Sequence, residues 1–171
     1  MSRVINLLLG AALFAGSYSL YAQETLEYPI KATFLYKFAE FVSWPEQAIY
    51  DEFTICILGR DPYGPILENA IQGMSIKGRP VVAKRLSSII AGSDCAVIYF
   101  GEADPQSTAE AIAAVWDKPI LTVTDDAHPG SVRGIIHFVV SNDRVRFSID
   151  PDAGARTGLI ISSRLLDLSL R

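Results

Sequence analysis

Two short apolar runs, each carrying one of the chain's two cysteines, constrain the fold more than any other feature. Residues 53–58 read FTICIL and stop at a glycine, and residues 95–100 read CAVIYF. A short apolar run that is bounded by turn residues is typical of a strand buried on both faces. We therefore predict that these two runs form the middle of a sheet.

Strands and helices alternate between residues 53 and 124, which implies parallel strands joined by right-handed crossovers. The last two strands are joined by a polar turn at 141–143 and are expected to form an antiparallel hairpin at one edge. The sequence thus predicts an α/β fold, a three-layer sandwich with helices on both faces of a mixed, mostly parallel sheet of about six strands. In a Rossmann-like order with the second strand outermost, the first and third strands are neighbours. The predicted strands are 53–58, 79–85, 95–100, 120–124, 135–140 and 144–149.

Helices are predicted before, between and after these strands. The first begins near Pro29, which suits the first helical position, and ends before Pro45. One face of it is apolar at helical spacing and is expected to face the core, comprising Ile30, Phe34, Leu35, Phe38, Phe41 and Val42. The polar residues Lys31, Lys37 and Glu40 are expected to lie away from that face. Further helices are predicted over 63–71, over 105–116 with Trp116 facing inward, and from Asp150 through Leu166.

The first 22 residues are predicted to be a signal peptide that is cleaved near Ala22. Arg3 supplies the positive charge, and a largely apolar stretch runs from Val4 to Ala15, as in secretory signals. That stretch is too short for a comfortable membrane span. We therefore expect an exported protein with a single domain over residues 23–171.

Export bears on the two cysteines, Cys56 and Cys95. Two cysteines in an exported protein predict one disulfide. The bridge requires Cα atoms within about 7 Å of each other, which neighbouring strands supply. The alternative is a pair of buried free thiols in different places.

The residues that carry chemistry in enzymes are sparse. There is no G-x-S-x-G elbow and no G-x-x-x-x-G-K-[ST] phosphate loop, and the only histidines, His128 and His137, lack metal-ligand spacing. Asp125-Asp126 follows a predicted strand and suits a divalent cation, although a turn or cap is favoured. The formal net charge of −4 argues against nucleic-acid binding. We predict no catalytic residue, no metal, no cofactor and no nucleic-acid partner.

Five residues are candidates for binding a partner or a ligand. Arg60, Asp61 and Tyr63 follow the first central strand, Arg79 opens the second strand, and Arg156 lies near the start of the last helix. An arginine in such a loop can clamp a carboxylate or phosphate through two hydrogen bonds. The alternative is that these arginines bridge loops to nearby acids within the protein.

Several short motifs, taken in their order and spacing, resemble a known family. The chain contains KATFLYKF at 31–38, FV at 41–42, WP at 44–45, ICILGRDPYG at 55–64 and GRP at 78–80. It continues with Cys95, LTV at 121–123, RF at 146–147, GL at 158–159 and ISSRLL at 161–166. This pattern is similar to that of the YfiR family of small exported bacterial proteins, from about residue 28 to the end.

The resemblance implies a periplasmic repressor rather than an enzyme. Such proteins bind the periplasmic part of an inner-membrane diguanylate cyclase, and this lowers cyclic di-GMP and biofilm formation. Release by an outer-membrane lipoprotein or by a redox change reverses the repression. Cys56 and Cys95 match a disulfide typical of the family, but the family's second, C-terminal cysteine pair is absent here.

Other readings stay open beside the resemblance. Arg133-Gly134 and Asp150 stand where the family usually has Gly-Gly and Asn, which can alter the partner surface. The alternative function is a periplasmic receptor for a small-molecule ligand, bound in the crevice beyond the first and third strands and serving another membrane signalling protein. A homodimer is also left open.

Overall fold

A computed structural model of the chain describes residues 18–48, 51–92, 94–101, 104–126 and 132–170. The helices are α1 (Tyr18–Phe41), α2 (Pro65–Ile71), α3 (Pro105–Ala113), α4 (Pro151–Arg156) and α5 (Ser163–Leu168). The strands are β1 (Val42–Ser43), β2 (Phe53–Leu58), β3 (Ser75–Ile76), β4 (Arg79–Leu86), β5 (Val97–Phe100), β6 (Leu121–Asp125), β7 (Ile136–Ser141), β8 (Arg144–Ile149) and β9 (Ile160–Ile161). In these ranges no helix combines the length and the apolar character that crossing a membrane requires.

The main sheet has seven strands in the order β3-β4-β2-β5-β6-β7-β8. The five strands β4, β2, β5, β6 and β7 run parallel to one another. The two edge strands are antiparallel, β3 to β4 and β8 to β7. The predicted α/β fold with a mixed, mostly parallel sheet is confirmed, and β2 and β5 are neighbours as expected. The additional strand is the two-residue β3, which is too short to leave a periodic pattern in the sequence.

Alternate side chains of the central strands lie in two separate hydrophobic cores, one on each face of the sheet. Ile55 and Ile57 of β2 belong to the larger core, which also contains the buried residues of α1 and α2. Cys56, between them, belongs to a second core with Ile98 of β5 and Ile112 of α3. Because successive strand residues point to opposite faces, helices cover the sheet on both sides in three layers.

Helix α1 differs from the prediction at its start and on its buried face. It begins at Tyr18, so Pro29 lies inside it, and the Oγ1 of Thr33 donates a hydrogen bond to the Pro29 carbonyl oxygen over 2.9 Å. Ile30 is 42% exposed whereas Lys31 is fully buried. Leu35, Phe38 and Val42 of the predicted face are buried. The buried face therefore keeps most of the predicted one but extends to Lys31 in place of Ile30.

The predicted last helix is two helices that are separated by a strand. Helix α4 ends at Arg156, and Gly158 follows with a φ of 77°, a left-handed conformation that ends helices. The chain then forms β9, in which Ile161 pairs with Val42 of β1 in an antiparallel arrangement. The local apolar spacing of this segment predicts a helix. The segment forms a strand instead because it pairs with β1, which is distant in sequence.

Helix α3 is shorter than predicted. It ends at Ala113, so Trp116 lies in the turn that follows and is 48% exposed. The inward orientation predicted for Trp116 is therefore wrong, because the helical spacing on which it rested does not extend that far.

Candidate functional site

A disulfide joins the two central strands, as the sequence predicted. Cys56 of β2 and Cys95, just before β5, are bonded with their Cα atoms 5.9 Å apart. Both residues are buried in the core beneath α3. The bridge therefore fixes β2 to the amino end of β5, and these are the two strands between which the strand order of the sheet reverses.

The turn after β2 is tied to its surroundings by its own side chains. Asp61 accepts a hydrogen bond from the Tyr63 backbone N–H over 2.7 Å and pairs with Arg85 of β4, whose Nη2 lies 2.8 Å from the Asp61 carboxylate. Arg85 also pairs with Glu68 of α2. Asp61 thus bridges elements within the protein.

The turns that follow β2 and β5 are in backbone contact. The Gly101 N–H donates to the Leu58 carbonyl over 2.8 Å. A Cβ at Gly101 would lie only 1.9 Å from the carbonyl oxygen of Arg60. Glycine at position 101 therefore allows the close approach of the two turns, and the Arg60 side chain is exposed.

Tyr63 lies in the core rather than on the surface. It is 1% exposed, and its ring meets those of Tyr99 and Tyr28 edge to face at centroid distances of 4.9 and 5.8 Å. Among the described residues, none forms a hydrogen bond with its buried hydroxyl. A partner protein that docks on this turn therefore cannot reach the Tyr63 side chain.

The other two candidate arginines lie elsewhere. Arg79 opens β4 at the end of the sheet opposite to Arg60, as the parallel pairing of β2 with β4 requires, and it lines an apolar depression with Trp44 and Ile76. Arg156 stacks over the ring of Trp116, 4.8 Å from its centroid. The five predicted residues therefore occupy three separate places and form no single site.

A small cavity of about 90 Å³ lies beside Trp116. Its lining mixes apolar and polar groups: Ile112, Val115, Trp116, Thr122, Arg133, Gly134, Ile135, Asp150, Ala153 and Thr157. The volume corresponds to roughly three water molecules at about 30 Å³ each. It is far below the roughly 300–1,000 Å³ of typical small-molecule sites.

The most unusual chemistry is a buried polar cluster that the sequence analysis missed. Lys31 of α1 is fully buried, and its ammonium pairs with Glu27 and lies 2.5 Å from the carboxylate of Asp125 at the end of β6. The Tyr99 hydroxyl donates to the same carboxylate over 3.0 Å. We call Glu27, Lys31, Tyr99 and Asp125 the Lys31 cluster. The prediction that Lys31 lies away from the core is wrong.

Burial and charge pairing both act on this cluster. Burial by itself lowers the pKa of Lys31, but hydrogen bonds and charge interactions with Asp125 and Glu27 outweigh it and leave the pKa above its usual value. Burial raises the pKa of Tyr99, and the charge of Asp125 adds to that effect. Lys31 is thus held as a cation and Tyr99 as a neutral donor. The cluster fastens α1 to the carboxyl end of the sheet. Its only sequence signal is the four-residue spacing of Glu27 and Lys31.

Asp125 and Asp126, which were weighed as ligands for a divalent cation, interact with side chains of the protein. Asp125 is occupied by Lys31, and Asp126 lies 3.0 Å from the Nε2 atom of buried His137. The other ring nitrogen of His137 lies 2.8 Å from the Thr124 hydroxyl. In the ranges that the structure describes, no three His, Cys, Asp or Glu residues are grouped as metal ligands. His128 lies outside those ranges.

A comparison with known protein families agrees with the motifs and the fold. The family model described as YfiR/HmsC-like matches residues 28–170. The match includes every strand of both sheets, both cysteines and the residues of the Lys31 cluster other than Glu27. The chain therefore belongs to the YfiR/HmsC-like family.

Proposed function

We propose that this protein is a periplasmic regulator that binds the periplasmic sensor part of an inner-membrane diguanylate cyclase. In the bound state it holds the cyclase inactive and so lowers cyclic di-GMP and biofilm formation. The observation that carries the proposal is the YfiR/HmsC-like match over residues 28–170, since proteins of this family are periplasmic regulators. The signal peptide over residues 1–22 belongs to the same proposal.

The construction of the protein supports a role in binding rather than catalysis. The Cys56–Cys95 disulfide and the buried ion pairs of Lys31 give a rigid body, and rigid surfaces lose less conformational entropy on binding a partner. The acidic and basic groups at the carboxyl end of the sheet are paired with one another, which leaves them unsuited to proton transfer. Exposed apolar residues, such as Leu26 at 63% and Ile30 at 42% on adjacent turns of α1, offer surface for contact.

The alternative of a small-molecule receptor has less support. The turns beside the crevice in which it was expected are in backbone contact at Gly101 and Arg60. The cavity beside Trp116, at about 90 Å³, holds only a few atoms.

Deletion of the gene tests the proposal. We expect the deletion strain to contain more cyclic di-GMP and to form more biofilm, because the repressor is gone. A plasmid copy of the full chain should reverse both effects. A copy that lacks residues 2–22 should not, because it stays in the cytoplasm.

A second experiment identifies the partner directly. Cross-linking in intact cells, followed by capture of the protein from membranes, should recover a membrane protein with a periplasmic sensor and a cytoplasmic cyclase domain. Unchanged cyclic di-GMP in the deletion strain, together with capture of no membrane signalling protein, would refute the proposal. The same preparations allow capture of an outer-membrane lipoprotein to be scored.

A further inference from the structure

Strand β8 ends the sheet, and only part of its outer edge is covered. The Leu170 N–H donates to the Phe147 carbonyl over 2.8 Å, and Ser148 forms a parallel bridge with Leu170. Backbone groups point alternately to the two sides of a strand, so Val145 turns its N–H and C=O outward as Phe147 does. Among the described residues, no backbone bond reaches Val145 from that side.

Two arginines flank this open position. Arg144 and Arg146 are both exposed, and their side chains lie on one face of β8, opposite Ser141 and Val139 of β7. Side chains two residues apart on a strand are separated by about 6.6 Å. In the described part of the chain, no ion pair involves either arginine.

The cations of strand β4, near the other edge of the sheet, differ in this respect. On β4, Lys84 lies 3.0 Å from the carboxylate of Asp94, and Arg85 pairs with Asp61 and Glu68. Those charges are neutralised within the protein, whereas the two charges on β8 are not. Among the described residues, the edge at β8 therefore has two positive charges without an ion pair and backbone groups of Val145 without a hydrogen bond.

We propose that an extended acidic segment of a partner protein adds to the sheet at β8. Its backbone pairs with Val145, and carboxylates two residues apart meet Arg144 and Arg146, because both strands share the same side-chain period. A shallow depression of about 510 Å³, lined by the two arginines, Ser141, Asn142 and Leu170, leaves room for it. This surface deepens the proposed function by stating the chemistry of the partner segment.

A second copy of this chain fits the same edge poorly. Antiparallel pairing of two β8 strands about Val145 would place Arg144 of each copy opposite Arg146 of the other. Like charges directly opposite each other on neighbouring strands are destabilising. Charge complementarity therefore selects an acidic partner over self-association.

Binding of a short peptide tests this surface without knowledge of the natural partner. The probe is a capped peptide of alternating glutamate and valine, and the control is the same peptide with lysine in place of glutamate. We expect only the acidic peptide to bind the mature protein. In a nitrogen–proton correlation spectrum the largest shifts should fall on the amides of β8, with Val145 among them.

Two kinds of variant test separately how the arginine charges and the backbone hydrogen bonds of β8 contribute to peptide binding. R144E/R146E, with R144Q/R146Q as a milder form, should weaken binding of the acidic peptide by about tenfold or more, as loss of both charge contacts requires. V145P removes the outward N–H and should weaken binding while leaving both arginines in place. The matched control K77E/K118E changes the net charge equally and should bind as the wild type does.

The outcome is decided by where and how the peptide binds. Shifts that centre away from β8, equal binding of the basic peptide, or dimers that form through β8 would each overturn the proposal. No detectable binding by a folded protein at millimolar peptide would do the same. Peptide binding at β8 combined with unchanged cyclic di-GMP in the deletion strain would leave this surface standing and refute the cyclase assignment.

Discussion

Replacing Lys31 with methionine removes a positive charge from a place that water cannot reach. The Asp125 side chain is only 7% exposed, so its carboxylate would lose its ion pair and gain little hydration in exchange. Loss of one partner from a buried ion pair costs about 3–5 kcal/mol. Glu27 is 24% exposed and can turn to solvent, so it should add less. We therefore expect K31M to lose about 3–5 kcal/mol of unfolding free energy.

Urea denaturation followed by circular dichroism measures this loss, and helix α1 supplies a matched control. Lys37 pairs with Glu40 on the same helix, but the two side chains are 49% and 35% exposed. K37M should therefore cost far less than K31M, because water screens the exposed pair. Lysine and methionine have similar helix propensities, so the difference between the two variants reports the buried charge.

The double variant K31M/D125N gives a second check. Because both ends of the ion pair are neutralised, its loss should be smaller than the sum of the two single losses. If K31M loses no more unfolding free energy than K37M, the inference that a buried ion pair holds α1 to the sheet is refuted. Strictly additive losses in the double variant would refute it equally.

Three further measurements test other parts of the structure. Reduction of the disulfide, which links residues 39 apart in sequence, should lower the unfolding free energy by about 4 kcal/mol, as urea denaturation with and without reductant will show. G101A, whose Cβ would lie 1.9 Å from a backbone oxygen, should lower the melting temperature by an amount equivalent to about 1–3 kcal/mol or more. Y63F should be neutral or stabilising in urea denaturation, because no described residue forms a hydrogen bond with its hydroxyl, whereas Y99F loses the bond to Asp125 and should cost about 1 kcal/mol. Burial raises the pKa of both tyrosines. Above pH about 10 the unfolded chain therefore releases protons that the folded chain retains, and stability should fall with rising pH.

Each of these expectations has a contrary result. Equal urea midpoints with and without reductant would mean that the disulfide adds no stability. An unchanged melting temperature in G101A would contradict the close approach of the two loops. A loss in Y63F equal to that in Y99F would show that the Tyr63 hydroxyl has a partner. A flat pH dependence above pH about 10 would contradict the burial of the tyrosine hydroxyls.

The strands at the centre of the sheet could be predicted because their signal is local. FTICIL at β2 and the run that includes β5 are apolar on both faces, and only a central position in a covered sheet buries such a run. The alternation of strands and helices predicted that β2 and β5 are adjacent in the sheet. Their pairing and the disulfide between them agree with that prediction. The two-residue strands β1, β3 and β9 could not be predicted, since none of them is long enough to show a period.

The candidate site was harder to predict from the sequence than the strands were, because the role of a charged residue depends on groups that are remote in sequence. Lys31 was expected to face solvent, and it is buried because Asp125, 94 residues away in sequence, neutralises it. Asp61 was a candidate for contact with a partner, yet Arg85 on β4 engages it. Arg146 was noted only within the RF motif and Arg144 in no motif, and in the described part of the chain neither forms an ion pair.

The sequence by itself determined the class of fold, the central strands and the pairing of its two cysteines. These follow from apolar periodicity, turn residues and the chemistry of export, all of which are local or compositional. Only the tertiary structure decided which charges are buried and paired and which are left open. The electrostatic energy of a charge depends on its distance to other charges and on its exposure to water, and folding sets both.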